Sequence, residues 1–220
     1  MVSQRLVELL VNSFWQILLP GLKITIPLTL VSFAISLVIA LFTAVVQVAN
    51  IKGLKQLARL YVWVIRGTPL LVQLYVIFYG LPGIGITLDA LPSAIVVFAF
   101  NTGAYASETI RAAIESVPDG QLEAGYCVGM SYTQTMVRII LPQALRTAFP
   151  PLSNSLIGLV KDTSLAANIT VMEMFMSAQR IAARTYEPFA LYCEVGLVYL
   201  VFCTVLTSLQ RVWEAKLKLG

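Results

Sequence analysis

Residues 24–51 contain no charged side chain, and this run limits the chain more than any other feature. About 20 consecutive, mostly apolar residues are enough to cross the hydrocarbon core of a bilayer. There the backbone must satisfy its own hydrogen bonds, so a single segment crosses as an α-helix. The rest of the chain agrees: 58% of its 220 residues are hydrophobic, 12% are charged, and the mean hydropathy is +0.83. A soluble domain carries roughly twice that charged fraction. The expected fold class is an all-α integral membrane protein with five transmembrane helices.

Taken in order, residues 5–19 mix Arg5, Glu8 and Trp15 with leucine and valine, the pattern of a helix lying in the membrane interface. Pro20-Gly21 is expected to end it, leaving residues 1–19 as an N-terminal interfacial segment. No cleavable signal peptide is expected, because Glu8 interrupts the first apolar run. The first span is expected from about Leu22 to Val48. The second, about Leu57 to Tyr79, is interrupted by Arg66-Gly67-Thr68-Pro69, where Thr68 can cap and Pro69 can open a new helix. The part after Pro69 is too short to cross alone, so both pieces together are expected to make one crossing. The third span is about Pro92 to Ala113, the fourth about Phe149 to Ile169 and the fifth about Phe189 to Gln210. Thr170-Val171-Met172-Glu173 has capping-box spacing and starts a short amphipathic helix to about Arg184, with Met174, Phe175, Ala178 and Ile181 on one face. The membrane domain thus covers residues 20–212, with a loop at about 114–147 and a tail at 213–220.

Loop charges orient the spans. Lys52, Lys55, Arg59, Arg111, Arg138, Arg146, Arg211, Lys216 and Lys218 fall on one side, and Arg5, Lys23, Arg180 and Arg184 on the other. The side richer in lysine and arginine is expected in the cytoplasm, with the N-terminus outside and the C-terminus inside. A net charge of +4 spread over loops does not make a nucleic-acid face. The chain has no histidine, and Cys127, Cys193 and Cys203 are isolated, so no metal site and no catalytic residue is expected; the cysteines read as small apolar fillers. No Gly-x4-Gly-Lys-Ser/Thr stretch occurs, so ATP hydrolysis does not belong to this chain. No internal repeat of the kind that builds inverted-repeat carriers is visible.

Two spans carry polar groups. Asn101, Tyr105 and Glu108 share a helix face, and Arg111 continues it as a partner for Glu108. The fourth span holds Lys161 and Asp162 as neighbours, which point about 100° apart on a regular helix and cannot satisfy each other. One can snorkel to the interface, or Asp162 can cap a break in the helix. Five spans are few to enclose a path, so a dimeric pore-forming unit is expected, with Ser153, Ser155 and Gly158 suiting close helix contact.

The longest polar interruption holds Glu123-Ala124-Gly125-Tyr126-Cys127-Val128-Gly129 and, after nine residues, Ile139-Ile140-Leu141-Pro142. Asp119 is a plausible N-cap, Gly129 can take the left-handed conformation that stops a helix, and Ser131-Tyr132-Thr133-Gln134 has capping-box spacing. Pro142 is expected to end or kink the second helix. This Glu-Ala-Gly, x3, Gly, x9, Ile-x-Leu-Pro pattern resembles the EAA loop of ATP-binding-cassette importer permeases, with Gly125 where that family more often has alanine. Arg66-Gly67-Thr68-Pro69-Leu70, Asn101 to Glu108 and Val160 to Leu165 are similar to the polar amino acid branch, and the run from Pro150 into Lys161-Asp162-Thr163-Ser164-Leu165 looks most like cystine permeases.

The resemblance implies the type I importer membrane-domain fold in the inner membrane of a bacterium, and a non-enzymatic transport subunit. It implies two ATPase subunits, a second permease copy or paralogue, an extracytoplasmic amino-acid-binding protein and lipid as partners. ATP and Mg would sit on the ATPase and no cofactor on this chain. Glu123, Ala124, Gly129, Leu122, Tyr126, Ile139, Leu141 and Pro142 would couple to the ATPase. Asn101, Glu108, Asp162, Thr163 and Ser164 are the candidate substrate path, where a carboxylate suits an ammonium group and hydroxyls suit a carboxylate. The substrate expected is cystine, or else glutamine, histidine or arginine. An ion-coupled carrier using Glu108 and Asp162 is the rival reading.

Overall fold

The computed structural model describes residues 2–218, with side chains described over residues 4–216; the last two residues of the expected tail lie outside the described residues. Among the described residues there is no strand. Ten α-helices follow in order: α1 (Val2–Pro20), α2 (Ile26–Val48), α3 (Leu54–Gly67), α4 (Leu70–Tyr75), α5 (Ala90–Glu115), α6 (Asp119–Cys127), α7 (Tyr132–Thr135), α8 (Leu141–Asp162), α9 (Met174–Thr185) and α10 (Pro188–Lys218).

Prolines set the joints between them. Three turns widen from α to π, at Gly21–Thr25, Val76–Gly80 and Met136–Ile140. In each, the amide that closes the wide turn belongs to the residue just before a proline. Ile26 bonds Gly21 O ahead of Pro27, Leu81 bonds Val76 O ahead of Pro82, and Leu141 bonds Met136 O ahead of Pro142. A proline in a helix offers no N–H, and its ring presses on the carbonyl four residues back. Opening the preceding turn to an i→i−5 bond accommodates both without stopping the helix.

The expected stop at Pro20-Gly21 is therefore absent. The chain runs as one helix from Gln4 to Val48, 45 residues. At about 1.5 Å per residue that is roughly twice the ~30 Å hydrocarbon core. Gly21 serves close packing instead: a Cβ there would stand 3.0 Å from Met174 Sδ and 3.1 Å from a Phe202 ring carbon. The residue 1–19 segment is not a separate surface helix either. It packs on α9 and α10 through buried Ile17, and Ser13 Oγ donates to a Glu194 carboxylate oxygen at 2.5 Å. Nor does Pro142 end the second loop helix, since α7, the π turn and α8 follow without interruption. At the other end, the expected tail continues α10 to Lys218.

Among the described residues, three helices are long and apolar enough to cross a membrane: Gln4–Val48, Ala90–Glu115 and Pro188–Lys216. The second expected span is a pair, Leu54–Gly67 and Leu70–Ile84, bent by 106° at the break, so the two pieces do not continue one straight crossing. Pro69, with ψ 137°, holds the N-cap position of α4, and Thr68 closes α3, its hydroxyl donating back to Val64 O (2.9 Å), so Thr68 does not cap the new helix. The residue before a proline is driven out of the helical region, which fixes where α3 stops. α8 is long enough at 22 residues but is not apolar enough by the same measure.

The core lies between α2, α5 and α8. Its alanine-rich seam (Ala40, Ala44, Ala106, Ala113, Ala144 and Ala148) lets the three backbones approach closely. A second cluster around Phe98, Leu28, Leu74 and Leu159 packs α4 on α2, α5 and α8. A third joins α1, α9 and α10 through Ile17, Met174, Ala178, Ile181 and Leu191, placing three of the four expected α9 residues in the core; Phe175 is partly buried. The capping of α9 differs from expectation. Thr170 ends the 3-10 turn Thr163–Ile169 at φ 68°, and Glu173 itself caps α9, accepting from Phe175 N (2.8 Å) and Met176 N (2.7 Å). Cys127 and Cys193 are exposed, so neither fills the interior.

Candidate functional site

A polar cavity of about 450 Å³ opens where three backbones are irregular or closely spaced. Thr68 and Pro69 from the α3–α4 break form one wall, Asn101 and Tyr105 of α5 another, and Ser155 and Asp162 of α8 the third. Asp162 is the last residue of α8, where the helix tightens into the 3-10 turn. The break expected there is present, but the Asp162 side chain makes no cap bond. The carbonyls freed at the end of α8 are met by hydroxyls instead: Thr163 Oγ1 donates to Val160 O and Ser164 Oγ to Lys161 O, both at 2.7 Å. Thr163 is fully buried, and neither hydroxyl residue lines the cavity. Of the candidate path residues, the structure thus brings Asn101 and Asp162 together and leaves Thr163 and Ser164 outside.

Glu108 lies in a different place. It lines a second cavity of about 360 Å³ with Gln47, Lys55, Arg59, Arg111 and Glu115. The expected partner is present: Arg111 Nη2 donates to Glu108 at 2.8 Å, and Arg111 Nη1 reaches Glu115 at 2.7 Å. Gln47 Nε2 also donates to Glu108 (3.2 Å). Arg66 reaches one lining residue of each cavity, its guanidinium 5.2 Å from the Tyr105 ring centroid and 3.9 Å from a Glu108 oxygen. Cations over aromatic faces are held by the ring quadrupole.

Gln73 organises the break and was not singled out above. Its Nε2 donates to Ile65 O (2.8 Å), Thr68 O (3.1 Å) and Thr68 Oγ1 (2.9 Å), while its Oε1 accepts from Asn101 Nδ2 (3.0 Å). One amide thus ties the loose carbonyls of the break to the α5 cavity wall. The available signal was a lone amide in the apolar run Leu70–Phe78. Gln73→Leu is expected to cost about 1–3 kcal/mol by stranding these groups, read as a lower thermal midpoint in mild detergent. An unchanged midpoint would show that the break holds itself.

At the far end of α5 stands the exposed loop element. Pro118, not Asp119, holds the N-cap position of α6; Asp119 sits in the first turn, where a carboxylate suits the positive helix end. α6 ends in a paired-bond stop: Gly129 N donates to Tyr126 O and Met130 N to Gly125 O, both at 3.0 Å, with Gly129 at φ 79°. The Ser131 box forms as the spacing implies, with Ser131 N donating to Gln134 Oε1 (2.9 Å) and Gln134 N to Ser131 Oγ (3.3 Å). Glu123, Ala124, Gly129 and Pro142 are exposed, and Tyr126 is 48% exposed. Leu122 and Leu141, by contrast, pack on the alanine-rich seam, and Ile139 is half-buried. Val128, two residues after Tyr126, is 75% exposed.

This geometry has known counterparts. Residues 36–219 match the family described as binding-protein-dependent transport system inner membrane component. The chain is 49% identical over 211 residues to the L-cystine transport system permease protein TcyB of Bacillus subtilis, spanning 96% of this chain and 90% of that protein. It is similar to the crystal structure of an amino acid ABC transporter with histidines, at TM-score 0.85 and 32% identity over 98% of this chain and 97% of that one. A likeness of fold extends to the inward-facing MetNI methionine ABC transporter, at TM-score 0.75 and 19% identity over 95% and 96% of the two chains. The chain belongs to the family of binding-protein-dependent transport system inner membrane components.

Proposed function

We propose that this chain is the permease subunit of an ATP-binding-cassette importer for a polar amino acid, with L-cystine the leading candidate. The observation that carries the substrate is the near full-length similarity to an L-cystine permease. The cavity chemistry is compatible: Asp162 offers a carboxylate to an ammonium group, and Asn101, which spends one amide N–H on Gln73, offers its other N–H to a carboxylate. Arg66, next to the cavity over Tyr105, adds a cation on the same side. A second permease, as a copy or a paralogue, completes the path. The chain is oriented with its N-terminus outside and α6 in the cytoplasm, as the loop charges favour.

Energy comes from two separate ATPase subunits, which hold the ATP and Mg; an extracytoplasmic binding protein delivers the substrate. α6 suits the transmission of that energy. It is short, stopped at its far end by two backbone bonds, and presents Glu123, Tyr126 and Val128 outward. A contact there drives the path only if it differs between states of the ATPase. Proteoliposomes holding the chain with its cognate ATPase and binding protein are expected to take up L-cystine on ATP addition. Uptake of arginine, glutamine or histidine alone would reassign the substrate. Uptake driven by a pH gradient without an ATPase would favour the ion-coupled carrier. Glu123→Ala and Gly129→Leu are expected to insert normally but lower uptake and ATPase stimulation; unchanged transport in both would refute the docking role.

A further inference from the structure

A larger cavity lies away from both sites, between the middle of the long first helix and α9, with a volume of about 790 Å³. Three cations line it: Lys23 from the π turn, and Arg180 and Arg184 one turn apart on α9. No acidic residue lines it, and among the described residues none of the three cations forms an ion pair. Arg180 spends one donor on the Met172 sulfur (3.1 Å), and Arg184 donates to Arg180 O (3.3 Å). All three cations are exposed, and Gln16, which spends one amide N–H on Asn12 O, adds a neutral donor to the same wall. These are three of the four cations on the side poorer in lysine and arginine.

Like charges gathered without a counter-ion repel, so the cluster calls for an anion. Its surroundings say which kind. On the long helix, Leu19 lines the cavity and is 45% exposed, and Trp15 and Leu22, one turn before and one turn after it, are 60% and 52% exposed. Exposed aromatic and aliphatic side chains beside basic residues are the signature of the membrane interface. A small dissolved anion would use the cations and leave this apolar rim bare. A phospholipid uses both.

We propose that Lys23, Arg180 and Arg184 form a binding site for the headgroup phosphate of an anionic phospholipid, whose acyl chains lie along Leu19 and Leu22. Arginine forks can take the phosphate bidentately while Lys23 adds a point charge. The ligand would then brace α9 against the first helix at their shared joint.

The test is native mass spectrometry of the purified full-length chain, with whatever subunits copurify, offered phosphatidylglycerol or phosphatidylcholine of the same acyl chains. The expected result is preferential retention of phosphatidylglycerol, falling roughly five-fold for each cation removed in Lys23→Gln, Arg180→Gln and Arg184→Gln. The Arg180→Lys/Arg184→Lys variant keeps the charge and is expected to keep most of the retention, which separates charge from folding. Equal retention of the two lipids, or wild-type retention in the glutamine variants, would overturn the site. Displacement of the lipid by an equal concentration of inorganic phosphate would also overturn it, since a free anion would then suffice. So would loss of a copurifying acidic protein in the glutamine variants with lipid retention intact, which would make the cluster a protein contact.

Discussion

Replacing Glu173 by alanine is expected to lower stability by about 3 kcal/mol, combining a lost helix cap with an orphaned buried hydroxyl. The Glu173 side chain has no solvent exposure. Its carboxylate accepts the Phe175 and Met176 amides at the start of α9 and the Tyr199 hydroxyl of α10 (2.9 Å). One group thus ties the start of α9 to α10. Alanine strands two N–H groups and a hydroxyl, all part-buried. Glutamine keeps one good acceptor and is expected to lose about half as much, while Tyr199→Phe gives up a single bond, about 1 kcal/mol. Thermal midpoints in mild detergent should therefore fall in the order alanine, glutamine, phenylalanine variant. Equal midpoints for all three would mean that the network adds nothing beyond packing.

Glu173 also shows where sequence and structure part. The four residues Thr170 to Glu173 have capping-box spacing, and the pattern cannot tell which end caps. The answer depends on a 3-10 turn that runs to Ile169 and turns left-handed at Thr170, a property of the whole connection. The prolines teach the same lesson. Pro20, Pro27 and Pro142 mark real interruptions in the hydrogen-bond ladder, but a missing N–H does not say whether the helix stops or widens. Gly129 was legible because a left-handed stop is decided within a few residues, and the Ser131 box for the same reason. The Glu108–Arg111 pair was legible because both lie on one helix face. Asn101 and Asp162 meet across a cavity that no local spacing describes, and the hydroxyls of Thr163 and Ser164 had two uses, of which backbone capping won.

Gly125→Ala is expected to weaken the exposed loop helix without unfolding the rest, and Thr135→Ala to restore it. By helix propensity alone, alanine at 125 would gain up to about 1 kcal/mol. Packing opposes this. A Cβ at 125 would stand 2.4 Å from Thr135 Cγ2 and 2.5 Å from its Oγ1. Thr135 cannot swing away easily: it is fully buried, β-branched, and its hydroxyl donates to Ser131 O (3.1 Å). Overpacking of this kind costs about 1–3 kcal/mol, so the clash outweighs the propensity gain. The strain falls on the contact between α6 and the α7 segment, so membrane insertion and the global midpoint should hold while the lever moves out of position. ATP-driven uptake in proteoliposomes is expected to fall about tenfold, the equivalent of ~1.4 kcal/mol. In a Thr135→Ala background the two clashing atoms are gone, and only a Cβ at 3.0 Å remains to yield a few tenths of an ångström. There the same Gly125→Ala change should be neutral or favourable, so its effect depends on the partner, as expected of residues in contact. If Gly125→Ala behaves alike in both backgrounds, the glycine answers to helix propensity and the close approach of α6 to Thr135 carries no part of the coupling.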